Sequence, residues 1–305
     1  MKYFFFVLLV TSHLAHARFT QTDLQKLVAQ SEFRDSDALF VWQNGVLVHQ
    51  FDRYPEQQYS IQSITKSMTS LTLACLAKTN PGLYDINNLF PEWINTPKAE
   101  ITVRMLLQMS SGIQDSPDFW KHNEYYDYST TLPMVTTPGW VFSYANASTM
   151  LLGKWIQDST GKPLSTHMKS CFFDPMGIKD WKISKDSNGH DVASGGLYLK
   201  AQDLMKIGIM LAQGGMFENQ TYLYRNQVMD LRTDHLKDGN GYGMGFWTWG
   251  KKIYYGEGFL GQFLMIVPRE GLVVLRLRNP PGMQWSPEND LNWMHEMPWF
   301  LENLL

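Results

Sequence analysis

With 305 residues, 44% of them hydrophobic and 18% charged, the chain can bury a substantial core, which excludes a dominantly disordered protein. A formal net charge of -3 and the lack of any basic run exclude an electrostatic footprint for nucleic acid. The eight histidines form no His-x-x-x-His or His-x-His cluster, so neither a metal nor another cofactor is expected.

The first residues read as a leader. Lys2, an apolar run from Tyr3 to Val10 and the small-x-small Ala15-His16-Ala17 predict a signal peptide over 1–17. Its apolar core is short of the roughly 20 residues that a membrane-spanning helix needs. The mature chain is therefore expected to begin near Arg18, to be exported to the periplasm or beyond, and to carry no membrane span. In such a compartment Cys75 and Cys171 can pair, or each can pack as a small buried hydrophobe. Both readings stand at this point.

Leu24, Leu27, Val28 and Phe33 have helical spacing, so Thr20 to Phe33 is expected as a helix. Ala38 to Trp42 and Val46 to Phe51 flank Asn44-Gly45, a dipeptide suited to positive φ, and predict a hairpin. From Ser60, a plausible N-cap, the apolar positions Ile64, Met68, Leu71 and Cys75 return to helical spacing. Residues 76–234 alternate helical segments with breakers such as Asn80-Pro81-Gly82, Thr137-Pro138-Gly139 and Gly161-Lys162-Pro163. Strands follow at Tyr242 to Trp249, Ile253 to Glu257, Gln262 to Val267 and Leu272 to Arg278, and Ser286-Pro287 opens a last helix. The expected fold is α/β (α+β): an antiparallel sheet from 18–75 and 235–305, flanked by N- and C-terminal helices, with 76–234 as a mostly helical inserted domain.

Ser63-Ile64-Thr65-Lys66 sets a hydroxyl and an amine on one face of the expected helix. A serine nucleophile needs a base, and lysine, with an ordinary pKa near 10.4, serves only if burial or a partner lowers it. Tyr144-Ala145-Asn146 offers the partner: an extended loop aims a phenol and a carboxamide into one cleft. Each motif has a chance copy, Ser159-Thr160-Gly161-Lys162 on a turn and Tyr224-Arg225-Asn226 beside a helix. Trp247 and Trp249 read as core or cleft wall, while Asp115, Asp118, Trp120 and Tyr125 fall on a long loop that can line the cleft without marking a role.

Ser63-Ile64-Thr65-Lys66, Tyr144-Ala145-Asn146 and Gly256-Glu257-Gly258-Phe259, in that order, resemble the serine β-lactamase and penicillin-binding-protein superfamily. Further landmarks, among them Ile101 to Gly112, Pro175 to Ile178 and Ser194-Gly195-Gly196-Leu197, extend the likeness over most of the chain. It is greatest to the class C β-lactamase-related group of esterases, D-aminopeptidases, carboxypeptidases and 6-aminohexanoate-dimer hydrolases. The resemblance implies Ser63 as acylated nucleophile, Lys66 as its activator and Tyr144 as proton relay. Asn146 would hold substrate, and the N–H groups of Ser63 and Phe259 would form the oxyanion hole, with Gly258 allowing the strand close approach.

The third motif departs from the family's Lys-Thr-Gly or His-x-Gly. Glu257 in the cleft would repel a substrate carboxylate, by about 4 kcal/mol at about 4 Å and an effective dielectric of about 20. That favours neutral or amine-bearing esters and amides. Strand alternation can instead turn Glu257 away, and Arg276 and Arg278 could supply a replacement cation. The expected function is an exported serine hydrolase acting through an acyl-enzyme on a small-molecule or peptide-like ester or amide. The alternatives are a β-lactamase or D-alanyl-D-alanine carboxypeptidase, and a non-catalytic penicillin-recognition sensor. Nothing in the sequence fixes the oligomeric state.

Overall fold

The computed structural model describes residues 19–236, 240–250, 252–278 and 296–305. The expected leader over 1–17 and the helix start at Ser286-Pro287 lie outside the described residues. Helix α1 (Gln21–Phe33) opens on a capping box, in which the Thr20 side chain accepts from the Asp23 N–H and the Asp23 carboxylate accepts from Thr20 N. Strands β1 (Ala38–Gln43) and β2 (Val46–Asp52) then turn about Asn44 and Gly45, whose φ angles are 49° and 94°. The C-terminal part adds β3 (Trp247–Trp249), β4 (Ile253–Gly258), β5 (Gln262–Val267) and β6 (Leu272–Leu277).

These strands form one antiparallel sheet in the order β2-β1-β6-β5-β4-β3, so both halves of the sequence meet at the β1–β6 pair. One face buries Leu39, Val41, Phe263, Met265 and Val274 under Leu24 and Leu27 of α1 and Met297 and Leu301 of α5 (Glu296–Leu304). The other buries Phe40, Leu264, Ile266, Val273 and Leu275. Covering that second face are α2 (Ile64–Ala77) and α4 (Ala201–Ala212), the latter pressed so close that a Cβ on Gly208 would lie 2.7 Å from both Leu264 and Val273. Because both faces are covered, the central strands read as near-continuous apolar runs rather than an alternation. Residues 78–236 supply further helices, including α3 (Asn146–Thr160), several single turns and short strands.

Two local expectations are corrected. Ser60 does not cap α2: it lies in the short strand Tyr59–Ser60, which pairs with Leu197–Leu199, and the helix starts after Ser63. Between them Gln62 takes a φ of 49° and Ile64 N donates to Ile61 O, making a tight turn. The strand expected from Tyr242 shrinks to Trp247–Trp249, with Tyr242 held only by an isolated bridge to Trp247. Gly243 and Gly245 explain this. A side chain on either would collide with Leu231 O or Ser70 Oγ, because the segment is drawn onto α2, where Ser67 Oγ donates to Gly245 O at 2.6 Å.

The open question of the cysteines is answered. Cys75 and Cys171 form a disulfide with a Cα–Cα separation of 6.3 Å, tying the last turn of α2 to the π-helical turn Lys169–Phe173. Among the described residues no helix is long and apolar enough to cross a membrane.

Candidate active site

Helix α2 is buried almost all round, which is unusual for a segment carrying five Ser and Thr residues between Thr65 and Thr72. Their hydroxyls are accommodated one by one. Thr69 donates to Ala193 O, Ser70 to Lys66 O and Thr72 to Met68 O, while Thr65 Oγ1 accepts from Leu197 N. The helix is thus locked to 193–197 and to Gly245, which fixes its N-terminal end. Ser63 sits at that end, one residue beyond strained Gln62.

Lys66 follows one turn later and is only 2% exposed. Its Nζ is 2.9 Å from Ser63 Oγ, 2.9 Å from Asn146 Oδ1 and 2.7 Å from Ser194 O. The last two groups can only accept, so they take two N–H bonds and leave the remaining tetrahedral direction pointing at Ser63. When the amine is neutral, that direction carries its lone pair. Burial pushes the Lys66 pKa down to about 7, against a smaller upward pull from the Asp115 carboxylate. The sequence pair is therefore a hydroxyl in contact with an amine that can be neutral near pH 7.

Tyr144 comes from the segment leading into α3. Its ring lies 5.0 Å from Lys66 Nζ, stacks on Trp247 at 5.6 Å and meets Tyr242 edge-on at 6.1 Å. Burial of the phenol raises its pKa, Ser63 hydrogen-bonded to it pulls the other way, and Glu257 adds to the rise. Between the two candidate bases, the lysine is thus the one ready to accept a proton at neutral pH. The phenol keeps its proton there.

Asn146 is the first residue of α3 and is occupied at both ends of its amide. Oδ1 accepts from Lys66, and Nδ2 donates to Asp115 Oδ2 at 3.0 Å. Asp115 also takes the backbone N–H of Asn146 at 2.8 Å and of Ala147 at 3.3 Å, capping the helix from a distant loop.

The third motif divides by alternation. Gly256 faces α2 and Gly258 the turn before it: a Cβ on Gly256 would sit 2.9 Å from Ser67 Oγ, and one on Gly258 2.6 Å from Ile61 O and 3.0 Å from Gln62 Cβ. One residue beyond that contact on each chain stand Ser63 and Phe259, the latter in the turn after β4. Glu257 is buried, 8% exposed, and lies on the opposite strand face with Tyr255 and across from Phe263. On that face the cross-strand partner of Tyr255 is Trp247, which stacks on Tyr144, and the Glu257 charge still bears on the phenol.

Arg276 and Arg278 are not cleft cations. Arg276 donates to Ser36 Oγ, Gly261 O and Arg34 O, and Arg278 pairs with Asp35, so both fasten the segment after α1 to β6. The reason is again alternation, which sets Arg276 opposite Phe263 on the α1 side of the sheet.

Neither chance copy converges. Ser159 Oγ donates back to Trp155 O at the end of α3, where Gly161 closes the helix, and Tyr224 stands 52% exposed before Arg225–Leu231. Trp249 donates to Glu302 of α5 and is a packing anchor, in contrast to Trp247. Asp118 pairs with Lys121 and Tyr125 stacks on Phe119, whereas Trp120 is half exposed and 3.8 Å from a Cβ placed on Gly195, beside the carbonyl that Lys66 uses. Sequence reasoning missed the Ser194 carbonyl, because a backbone oxygen leaves no residue-type signal, and read Tyr242 only as the start of a strand. It named Asp115 without giving it a role.

A family model described as Beta-lactamase matches residues 24–292. A candidate β-lactamase from Bacteroides dorei superposes with a TM-score of 0.78 at 16% identity, covering 94% of this chain and 99% of that one. A candidate 6-aminohexanoate-dimer hydrolase from Bacillus anthracis gives 0.76 at 21% identity, over 92% and 80% of the two chains. A penicillin-binding-protein homologue from Caulobacter crescentus gives 0.72 at 14% identity, over 94% and 98%. These identities are low, so the superpositions speak to the fold. No curated protein matches the chain by sequence.

Proposed function

The chain belongs to the Beta-lactamase family, and from that premise we propose that it is a serine hydrolase working through an acyl-enzyme at Ser63. The observation that carries this reading is the contact of Ser63 Oγ with a buried Lys66 whose pKa falls to about 7. Ser63 Oγ attacks the carbonyl carbon of an ester or amide and its proton passes to Lys66 Nζ. The N–H groups of Ser63 and Phe259 receive the oxyanion. Tyr144 gives its proton to the leaving oxygen or nitrogen as the carbonyl re-forms, and Lys66 returns a proton to the phenol. In the second half, water attacks the acyl-enzyme, loses its proton to the Lys66–Tyr144 pair, and Ser63 leaves protonated.

The substrate is an ester or amide that is neutral or carries an amine near the scissile bond. Glycine replaces the family's cation at 256, Arg276 and Arg278 are engaged elsewhere, and Glu257 adds negative potential. One structural neighbour is described as a 6-aminohexanoate-dimer hydrolase, which supports an amide. The leader-like first residues and the disulfide support export. The assembled Ser63, Lys66 and Tyr144 speak against a sensor without chemistry.

Mature protein is incubated with a fluorophosphonate probe and, separately, with a fluorescent penicillin, and its intact mass is read. Addition of one probe at Ser63 by the fluorophosphonate alone, absent in Ser63→Ala, is the expected result. Labelling by both moves the reading to a β-lactamase or carboxypeptidase, and folded protein labelled by neither overturns it.

A further inference from the structure

Asp115 lies outside the three sequence motifs, yet it accepts from the Asn146 amide nitrogen, opposite the oxygen that meets Lys66. Its Oδ2 accepts from both Asn146 Nδ2 and Asn146 N, and its Oδ1 from Ala147 N. An asparagine amide has two orientations that fill nearly the same space, so its direction is set by its partners. Asp115 can only accept, and it sits on the nitrogen side. That forces Oδ1 toward Lys66, 2.9 Å away.

The alternative orientation is chemically costly. With the amide turned over, Nδ2 would face Lys66 and Oδ1 would face a carboxylate. Against the ammonium form this sets donor against donor. Against the neutral form, Nδ2 would take the lysine lone pair, which would then be lost to Ser63.

We propose that Asp115 is a positioning residue that fixes the Asn146 amide and thereby reserves the Lys66 lone pair for Ser63. This rests on the acyl-enzyme reading above and adds a residue to it. The carboxylate also tunes the base directly, because its charge holds the Lys66 pKa above what burial alone would give. The titratable groups around the amine are Asp115 from the loop after Val103–Leu107 and Tyr144 from the segment before α3, with Glu257 of β4 acting on the phenol.

The test uses the mature protein, a p-nitrophenyl ester and the acylation rate as a function of pH. In Asp115→Asn the acidic limb moves to lower pH, since the charge that raised the Lys66 pKa is gone, and the plateau falls by about tenfold or more because the amide is no longer held. In Asn146→Ala the plateau also falls, and adding Asp115→Asn to it changes the plateau by less than about twofold, the non-additivity expected when one residue acts through the other. Asp115→Glu keeps the charge but displaces the acceptor, so its limb stays at the wild-type position while its plateau falls, and if Asp115→Asn does not fold an unchanged plateau in Asp115→Glu overturns the proposal. An unmoved limb in Asp115→Asn, or independent losses in the double variant, makes Asp115 a plain helix cap and overturns the proposal while Ser63 still labels. Wild-type protein that never labels at Ser63 removes both readings.

Discussion

At Ser63 and again at Ser159 the chain sets a hydroxyl three residues ahead of a lysine, and the two segments differ in everything around them. Ser63 begins a buried helix whose first turn brings Lys66 against Asn146 and Ser194. Ser159 lies in the exposed last turn of α3, bonds to its own helix carbonyls and is followed by the left-handed Gly161. The lysines differ correspondingly: Lys66 is desolvated and lowered to about 7, and Lys162 is a solvated surface group. The lowered pKa is a property of the hole in which the amine sits. The motif supplies the parts, and residues 115, 144, 146, 194 and 245, far off in sequence, supply the desolvation and the direction.

The strongest way to break this contrast is to remove the two amines in turn. Lys66→Ala should lower kcat/KM by about 10³-fold, whereas Lys162→Ala should leave it within about twofold. The pH profile sharpens the point. With its pKa at about 7, Lys66 is neutral above that value and protonated below it, so kcat/KM should fall as pH drops through about 7 and that limb should be absent from the residual rate of Lys66→Ala. A limb unchanged in Lys66→Ala would mean that another group is the base. The same shift has a stability sign. The native lysine binds fewer protons than the unfolded one between about 7 and about 10.5, so stability should rise with pH across that window.

A smaller effect is expected at Tyr144, which has no counterpart near Ser159. Tyr144→Phe keeps the ring that stacks on Trp247 and deletes only the hydroxyl. Acyl transfer should slow by about tenfold to a hundredfold with KM little changed, and the loss should shrink for p-nitrophenyl esters, whose leaving group needs no proton. An equal loss with activated esters and amides would remove the phenol from leaving-group protonation.

Much of this contrast is legible in the sequence, for physical reasons. The sheet is visible because Asn44-Gly45 can make only a tight turn and because β4 to β6 are separated by turn residues. Ser63, Lys66 and Tyr144 are visible because a hydroxyl, an amine and a phenol are the residue types that the proposed chemistry requires. The start of α2 is not legible, since Ser60 has cap chemistry and no local pattern reveals that Ile61 and Gln62 form the turn. Tyr242 to Phe246 looked like a strand, because what draws Gly243 and Gly245 off the sheet is a long-range contact with Leu231 and α2. The fate of Glu257 and Arg276 hung on strand face, which a one-residue change of register would invert. Asp115 was indistinguishable from its loop neighbours until the start of α3 was set against it.

The disulfide gives the least effect on chemistry and a large one on folding. It joins the far end of the helix that carries Ser63 and Lys66 to the turn that follows the Ser159 copy, across a sequence separation of 96 residues. Closing a loop of that length restricts the unfolded chain by about 4–5 kcal/mol in the entropic account. It acts on the end of α2 remote from Ser63, whose position is fixed separately by the bonds of Ser67, Thr69 and Thr65 to the surrounding chain. The double variant Cys75→Ser, Cys171→Ser should therefore melt roughly 5–15 °C lower while keeping the acidic limb of its pH profile and, at a temperature where it is folded, most of its kcat/KM. A shifted limb in a folded double variant would mean that the tether at the back of α2 sets the depth of the lysine, and that the difference between the two Ser-x-x-Lys segments is maintained by a covalent bond as well as by packing.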